Sequence, residues 1–192
     1  ISATKYIKSS LSYLPYSLKD DIEEAKFLKL GFAGYQKLID VFSSNNKSFS
    51  LIEPQAVVRD LMLSREVAKY LAPYLDNKKI SFIFEPTRPY LSGVCCNKFD
   101  LIDMSLTGAL GGGGKFLNGL SKENFTLESM SLFKRLLKED GVLAFEVWNN
   151  YPPLFVDRVF KTFKEVFGLK NIVVVKSLQT TILLAKKSSF LL

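Results

Sequence analysis

The sequence contains no histidine and only two cysteines among its 192 residues. The absence of imidazole excludes every catalytic triad or general base that requires a histidine. The two thiols belong to Cys95 and Cys96, and adjacent cysteines rarely form a disulfide with each other. We therefore expect two buried or half-buried free thiols in a reducing compartment, and no metal site.

Long apolar runs are also missing. No stretch approaches the roughly 18 apolar residues that a membrane-spanning helix needs, and the segment SATKYIKSS lacks the apolar core of a signal peptide. The chain begins with Ile1, which we interpret as the start of a piece of a longer protein that could include further domains or a membrane anchor. We expect a cytoplasmic location, or the cytoplasmic face of a membrane if the parent protein carries transmembrane segments.

The charge is unbalanced but not concentrated. The formal net charge is +7, and the basic residues are scattered along the chain, mostly at helix-face spacing. This pattern favours solvated helix faces, and the alternative is a surface that meets nucleic acid or anionic lipid. No aromatic–basic motif of an RNA-binding module is present, so the sequence gives no clear nucleic-acid motif.

Apolar segments of strand length alternate with amphipathic segments along most of the chain. Strands are predicted at residues 27–30, 49–52, 80–84, 99–104, 142–147, 171–177 and 181–186. Helices are predicted at about 35–42, 55–63, 65–71, 126–138 and 153–167, with residues 139–141 ending the fourth, and residues 1–25 form a peripheral helical segment. The alternation predicts an α/β fold with a mostly parallel sheet covered on both faces. The last two strands, which no helix separates, are predicted to form an antiparallel hairpin.

The most informative segment spans residues 26–54. Its first strand runs into Gly31-Phe-Ala-Gly34, an amphipathic segment follows, and the second strand ends at Glu53. In such a unit a glycine turn lets a nucleotide approach the backbone, and the terminal acid accepts hydrogen bonds from ribose hydroxyls. The segment therefore predicts a site for an adenosine-type cofactor.

Four segments together carry a family resemblance: LKLGFAGYQ, SLIEP, FEPTRPYL followed by KFDLIDMSL, and LSKENFTLESMSLFKRLLKEDGVLAFEVW. In this order and spacing the chain resembles the spermidine synthase-like proteins of the S-adenosylmethionine-dependent (class I) methyltransferase-fold superfamily. The resemblance implies a Rossmann-like three-layer α/β/α sandwich over residues 26–187, with a seven-stranded sheet of order 3-2-1-4-5-7-6. It also implies S-adenosylmethionine or decarboxylated S-adenosylmethionine as cofactor, and transfer of a methyl or aminopropyl group to a small-molecule acceptor.

The resemblance assigns cofactor roles to particular residues. Gly31 and Gly34 would face the methionine part of the cofactor, Glu53 the ribose and Glu85 the adenine amino group, while Arg88 matches an arginine of the family. From the residues alone, Glu53 can also be an exposed acid that caps the following helix, and Glu85 can be a loop acid paired with Arg88.

Acceptor-side roles follow from the same resemblance. Asp103 ends the fourth strand, where the family places an acid that deprotonates and orients the attacking amine. Its alternative role is to hold loop amides. Residues 108–119 form a glycine-rich loop that fits either a lid or a flexible connector. Asn124 and Thr126 fall near the expected substrate site, although Thr126 also fits a helix N-cap.

Several features depart from the family. Ala33 and Tyr35 stand at glycine-type positions, Pro86 occupies the expected slot of the adenine-binding acid, and the first 25 residues lack the β-hairpins that help to hold an amine. These departures favour an alternative, a catalytically degenerate domain that binds a ligand or a protein. A nicotinamide oxidoreductase fits poorly, because residues 31–34 do not match G-x-G-x-x-G. The sequence is compatible with an oligomer, with a small-molecule acceptor as partner, and with membrane proximity through other segments of a parent protein.

Overall fold

The computed structural model describes residues 14–19, 21–31, 48–67, 69, 79–104, 123–149, 153–178 and 180–190. Several predicted features lie outside these residues: residues 1–13 of the N-terminal segment, Ala33, Gly34, Tyr35, the helix at 35–42 and the glycine-rich loop at 108–119. Part of the predicted helix at 65–71 also lies outside them, at residues 68, 70 and 71. Within the described part of the chain, no helix is long and apolar enough to cross a membrane.

A single sheet organises the described residues. Its strands are β1 (Lys26–Leu30), β2 (Ser48–Ile52), β3 (Ile80–Ile83), β4 (Phe99–Asp103), β5 (Leu137–Trp148), β6 (Ile172–Lys176) and β7 (Thr180–Lys186). They form a 7-stranded sheet of order β3-β2-β1-β4-β5-β7-β6. The first five strands pair in parallel, and β7 is antiparallel to both of its neighbours. The predicted fold class, strand order and C-terminal hairpin are confirmed.

The helices flank this sheet. They are α1 (Leu14–Ser17), α2 (Ala56–Leu63), α3 (Thr87–Ser92), α4 (Leu127–Leu136) and α5 (Pro153–Phe167), and a short 3-10 helix covers Leu169–Asn171. Helix α5 has the predicted bounds, and its buried residues Val159, Phe163 and Phe167 recur every four positions. This spacing places them on one face, which packs against the sheet.

Each face of the sheet has its own apolar core. Helices α3, α4 and α5 cover one face, where Phe133, Phe145 and Phe163 are buried together. On the other face Tyr16 of α1 packs edge-on against Phe27, and Phe27 packs edge-on against Phe49. Tyr16 is only 3% exposed. The N-terminal segment predicted to be peripheral is thus part of the core at α1.

The start of β5 differs from the prediction. Helix α4 ends at Leu136 and the strand begins at once with Leu137, whereas the sequence suggested a helix to residue 138 and a turn at 139–141. The register shifts here, since Phe99 pairs with Leu137 but Leu101 pairs with Val142. A Cβ atom on Gly141 would lie 2.8 Å from the Phe99 carbonyl oxygen. Gly141 therefore allows two strands to approach each other closely and does not end a helix.

Helix α3 was not predicted, because its sequence, TRPYLS, contains a proline. Pro89 lies in the first turn, where a proline costs no intrahelical hydrogen bond. The segment therefore forms a short helix that leads from β3 to β4.

Candidate functional site

The candidate site lies at the carboxyl ends of the central strands. Gly31 follows β1, Glu53 follows β2 and Asp103 ends β4. These strands are parallel neighbours in the order β2-β1-β4, so their carboxyl ends share one edge of the sheet. The chain connects outward from β1 to β2 and β3 and then returns to β4, which makes the β1/β4 boundary a topological switch point. Open α/β sheets bind ligands at this point.

Gly31 forms the turn after β1. Its φ is +81°, and a Cβ atom built there would meet no neighbour within 4 Å among the residues that the structure describes. Its N–H donates a 2.8 Å hydrogen bond to the Ile52 carbonyl oxygen, which ties the ends of β1 and β2 together. The positive φ is the reason for glycine at this position, because L residues rarely adopt it.

Glu53 is buried, with 4% of its surface exposed, although it lies in a loop. Its N–H donates to the Ile83 carbonyl oxygen at 2.9 Å, and its Oε1 accepts a 2.9 Å hydrogen bond from the Gln55 N–H. Gln55 is the N-cap residue of α2. Glu53 therefore contacts the start of α2, as the capping interpretation suggests, but it is buried and is not the exposed acid that this interpretation assumed. An ionised carboxylate can accept about four hydrogen bonds, so capping and ribose binding are compatible.

Asp103 is buried in the sheet, where it is 1% exposed. Its Oδ2 lies 2.9 Å from the Nζ of Lys29, which is also 1% exposed. The same oxygen accepts a hydrogen bond from the Tyr16 hydroxyl. Lys29 and Asp103 are register partners on β1 and β4. The carboxylate proposed as a base is thus held in a buried ion pair, below the N-terminal helix α1.

Sequence reasoning missed Lys29 and Tyr16. A signal for Lys29 did exist, because a lysine inside the apolar strand KFLKL of a doubly covered sheet needs a buried counter-charge. Asp103, in the apolar fourth strand, was a candidate for this counter-charge. Tyr16 carried no comparable signal, since it lies 87 residues from Asp103 in the chain.

Arg88 and Thr126 meet, but at a junction between helices. The Nη2 of Arg88 donates hydrogen bonds to the Thr126 Oγ1 at 3.0 Å, the Ser129 Oγ at 3.1 Å and the Glu123 carbonyl oxygen at 3.1 Å. Thr126 is the N-cap of α4, because its Oγ1 accepts from the Ser129 N–H. The N-cap interpretation of Thr126 is therefore seen in the structure, while the half-buried Asn124 lies just before it.

The same junction changes the pKa of Glu128, which lies in the first turn of α4. Hydrogen bonds from its own backbone N–H and from the Thr126 hydroxyl, together with the positive charge of Arg88, lower the pKa of Glu128. Glu85 does not take part: it is exposed, and within the described residues it forms no ion pair with Arg88. The interpretation of Glu85 as the partner of Arg88 is therefore wrong for this part of the chain.

A cleft of about 830 Å³ lies along the connection from β3 to β4. Glu85 lines it, together with residues at the end of α3 and at the amino ends of strands, but Gly31, Glu53 and Asp103 do not. Both Cys95 and Cys96 are exposed in this cleft, which corrects the expectation of buried or half-buried thiols. Among the residues that the structure describes, no group of three or more potential ligands could hold a metal ion.

Comparison with known proteins gives structural matches only. No protein-family model and no curated protein sequence matches this chain. The crystal structure of spermidine synthase from Thermotoga maritima matches with a TM-score of 0.70 and 18% identity over 98% of this chain and 61% of that chain. A spermidine synthase in complex with the transition state analogue AdoDATO gives a TM-score of 0.69 at 18% identity, over 98% of this chain and 60% of that chain.

Methyltransferases match at a similar level. Human methyltransferase-like protein 13 in complex with SAH gives a TM-score of 0.64 and 17% identity over 97% of this chain and 82% of that chain. The present chain spans about three fifths of the length of the spermidine synthases it matches, 61% in the first. Identities this low show the fold alone. The strand order, the terminal hairpin and these matches together establish that the chain has the spermidine synthase-like class I methyltransferase fold.

Proposed function

We propose that this chain binds S-adenosylmethionine or its decarboxylated form at the carboxyl edge of the sheet, and transfers a methyl or aminopropyl group from it to a small-molecule acceptor. The observation that carries the proposal is the position of Gly31 and Glu53, which directly follow the paired ends of the adjacent strands β1 and β2. One provides a turn with positive φ, and the other a buried carboxylate with a fixed orientation. An adenosyl ligand needs both at a switch point.

Each residue has a role in this proposal. Glu53 accepts hydrogen bonds from the ribose hydroxyls, and Gly31 borders the methionine part, a role that the family resemblance also gives to Gly34. Glu85, exposed just after β3, is the candidate for the adenine amino group. Arg88 supports the site indirectly, because its guanidinium holds α3 against the start of α4. Asn124 and Thr126 begin the element that would border the acceptor.

The transfer would be a displacement at the carbon next to the sulfonium. A nucleophilic atom of the acceptor forms a bond to this carbon, the carbon–sulfur bond breaks, its electron pair stays on sulfur and the acceptor loses a proton. Holding both reactants in line contributes most of the catalysis in such a reaction. Asp103 is the candidate to take the proton, and Lys29 and Tyr16 fix its position.

The same contacts support a second candidate function. Because Asp103 is buried and ion-paired with Lys29, it can reach an acceptor only if this pair rearranges. A domain that kept the ligand site but lost the transfer step would show this arrangement. We therefore keep, as the alternative, a catalytically degenerate domain that binds an adenosyl ligand or a protein.

Isothermal titration with S-adenosylmethionine, its decarboxylated form and S-adenosylhomocysteine tests the binding step. We expect saturable binding of at least one ligand, and a loss of at least tenfold in affinity in Glu53→Ala, since a charged hydrogen bond contributes about 1.5–3 kcal/mol. Glu53→Gln keeps an oxygen to cap Gln55 and separates folding from binding. Glu66→Ala removes an exposed acid and should bind like the parent protein. Absence of binding at millimolar ligand would refute the proposal.

A second experiment separates the two candidates. The protein is incubated with each cofactor and a small-molecule extract, and S-adenosylhomocysteine and methylthioadenosine are measured as products of methyl and aminopropyl transfer. Product formation that Glu53→Ala abolishes supports the enzyme. Binding without product above the level of Glu53→Ala supports the degenerate domain.

A further inference from the structure

The most distinctive feature outside the candidate site is the pair of adjacent cysteines. Cys95 and Cys96 follow α3, and both are exposed. They line the cleft of about 830 Å³ on the connection from β3 to β4. Both thiols are therefore accessible to a small molecule that enters the cleft.

The loop that carries the thiols is fixed at both ends. The Val94 N–H donates to the Leu91 carbonyl oxygen at 3.1 Å, and the Asn97 and Lys98 N–H groups donate to the carbonyl oxygens of Arg135 and Leu136 at 3.0 and 2.8 Å. Within the described part of the chain, neither cysteine makes a hydrogen bond. The fixed flanks present the two thiols together, and their own peptide is free to adjust.

The charged residues of the cleft are mostly cationic. Lys26, Lys98 and Lys138 line it, and among its described residues Glu85 carries a carboxylate. Lys138 is paired at 2.7 Å with Asp100, which is buried and does not line the cleft. The Lys98 ammonium lies 5.6 Å from the centre of the Phe99 ring. A cleft with this excess of positive charge concentrates anionic molecules.

We propose that Cys95 and Cys96 form a vicinal dithiol site that undergoes thiol–disulfide exchange with anionic low-molecular-weight disulfides. One thiolate attacks a sulfur of the disulfide, which forms a mixed disulfide and releases one thiolate product. The neighbouring cysteine thiolate then attacks the protein sulfur and releases the second product. The protein loses two electrons and two protons, and the small disulfide is reduced to two thiols.

The adjacency of the cysteines makes this oxidation reversible. The Cα atoms of neighbouring residues are about 3.8 Å apart, whereas disulfides usually join Cα atoms about 4.4–6.8 Å apart. A bridge between neighbours is consequently strained and more easily reduced than a structural disulfide. The site would therefore respond to the thiol–disulfide balance without locking the fold.

Intact-mass spectrometry tests the two steps. The fully reduced protein is incubated with oxidised glutathione as the anionic probe. We expect the parent protein to lose two hydrogens and to keep no adduct, while Cys95→Ser and Cys96→Ser each retain one glutathione. Both replacements are at exposed positions, and circular dichroism checks their folding. A parent protein that stays reduced, keeps a stable adduct or forms only intermolecular dimers would overturn the proposal.

A charge variant tests the role of the cleft. In Lys98→Gln we expect the exchange with oxidised glutathione to slow by about threefold or more, as electrostatic attraction weakens. The neutral probe bis(2-hydroxyethyl) disulfide should react at an unchanged rate. Lys161→Gln removes an exposed lysine outside the cleft and serves as the matched control. Equal slowing with both probes, or no slowing with either, would contradict attraction of anions by the cleft.

Discussion

Lys29 places a positive charge inside the sheet, and its ion pair with Asp103 stabilises this charge there. Lys29 and Asp103 are each 1% exposed, and their charged atoms are 2.9 Å apart. A buried charge without a partner costs several kcal/mol, so each of these residues requires the other. The contact couples the candidate site to the core, since Asp103 also ends β4 at the site.

Replacement of Lys29 by methionine should therefore destabilise the protein strongly. We expect a loss of about 3–5 kcal/mol in the free energy of unfolding, because Asp103 would remain buried without its counter-charge. Chemical denaturation at neutral pH measures this. The double variant Lys29→Met/Asp103→Leu should recover most of the loss, and Lys161→Met is the exposed control. If Lys29→Met were as stable as this control, the ion pair would contribute little to the free energy of unfolding.

Gly141 gives a second test at the scale of a residue. In Gly141→Ala the new methyl group would lie 2.8 Å from the Phe99 carbonyl oxygen, which belongs to the backbone and cannot turn aside. We expect a loss of about 1–3 kcal/mol in unfolding free energy. Gly93→Ala is the matched control, because its Cβ would be 3.6 Å from the nearest atom. Thermal denaturation of the two variants should separate them clearly; equal melting temperatures would contradict the close approach at Gly141.

Residue patterns predicted local features better than distant contacts. The Gly31 turn and the position of Glu53 follow from a few neighbouring residues. The partners of Asp103 do not, because Lys29 reaches it through strand register and Tyr16 through the packing of α1. Such contacts join residues 74 and 87 positions apart, and a single sequence contains no direct record of them.

At the scale of elements, one guanidinium holds α3 to α4. Arg88 donates to the N-cap hydroxyl of α4 and to the side chain of Ser129. The N-cap of α4 is thereby both a local helix signal and a tertiary contact. Arg88 and Thr126, which the sequence assigned to a ligand site, therefore lie together at a junction between helices.

Arg88→Ala should loosen this junction. We expect a loss on the order of 1–2 kcal/mol in unfolding free energy, since several hydrogen bonds from a charged donor disappear. Urea denaturation, with the exposed Arg65→Ala as control, provides the measurement. In a double-mutant cycle, Thr126→Ala should be less harmful when Arg88 is already absent. Additive effects would show that the two residues do not act together.

The pKa of Glu128 reports on the same junction. Its folded pKa is lowered from 4.5, so its contribution to stability is present above the unfolded pKa and is lost as the pH falls through the folded pKa. In Arg88→Ala the pKa of Glu128 should rise towards 4.5, because a nearby positive charge is removed. An NMR titration of the Glu128 side chain measures this. An unchanged pKa would mean that Arg88 has no electrostatic effect on α4.

Helix and strand types were predictable, but some boundaries were not. The spacing of Val159, Phe163 and Phe167 was sufficient for α5. At the start of β5, by contrast, Glu139-Asp140-Gly141 has the local features of a turn. In the structure this segment lies within β5, at the register shift between the pairs made by Leu137 and Val142, and Gly141 is close to the Phe99 carbonyl oxygen of β4.

For the whole molecule, the alternation of strands and helices predicted the fold class and the hairpin, and the family resemblance implied the strand order that the structure shows. A chemical activity cannot be predicted from the fold, since one fold supports many functions. The neighbouring structures include both spermidine synthases and methyltransferases. The chemical activity therefore has to be inferred from the residues of the site. The two that bear on it most are the buried Glu53 and the ion-paired Asp103.

The location of ligand binding is the most direct test of the account. Backbone amide resonances of the protein are followed by NMR during titration with S-adenosylhomocysteine. We expect saturable shifts centred on Gly31, Glu53 and Asp103, with no shifts at Cys95 and Cys96. Shifts confined to the cysteine cleft, or no saturable shifts at millimolar ligand, would contradict a cofactor site at the carboxyl edge of the sheet.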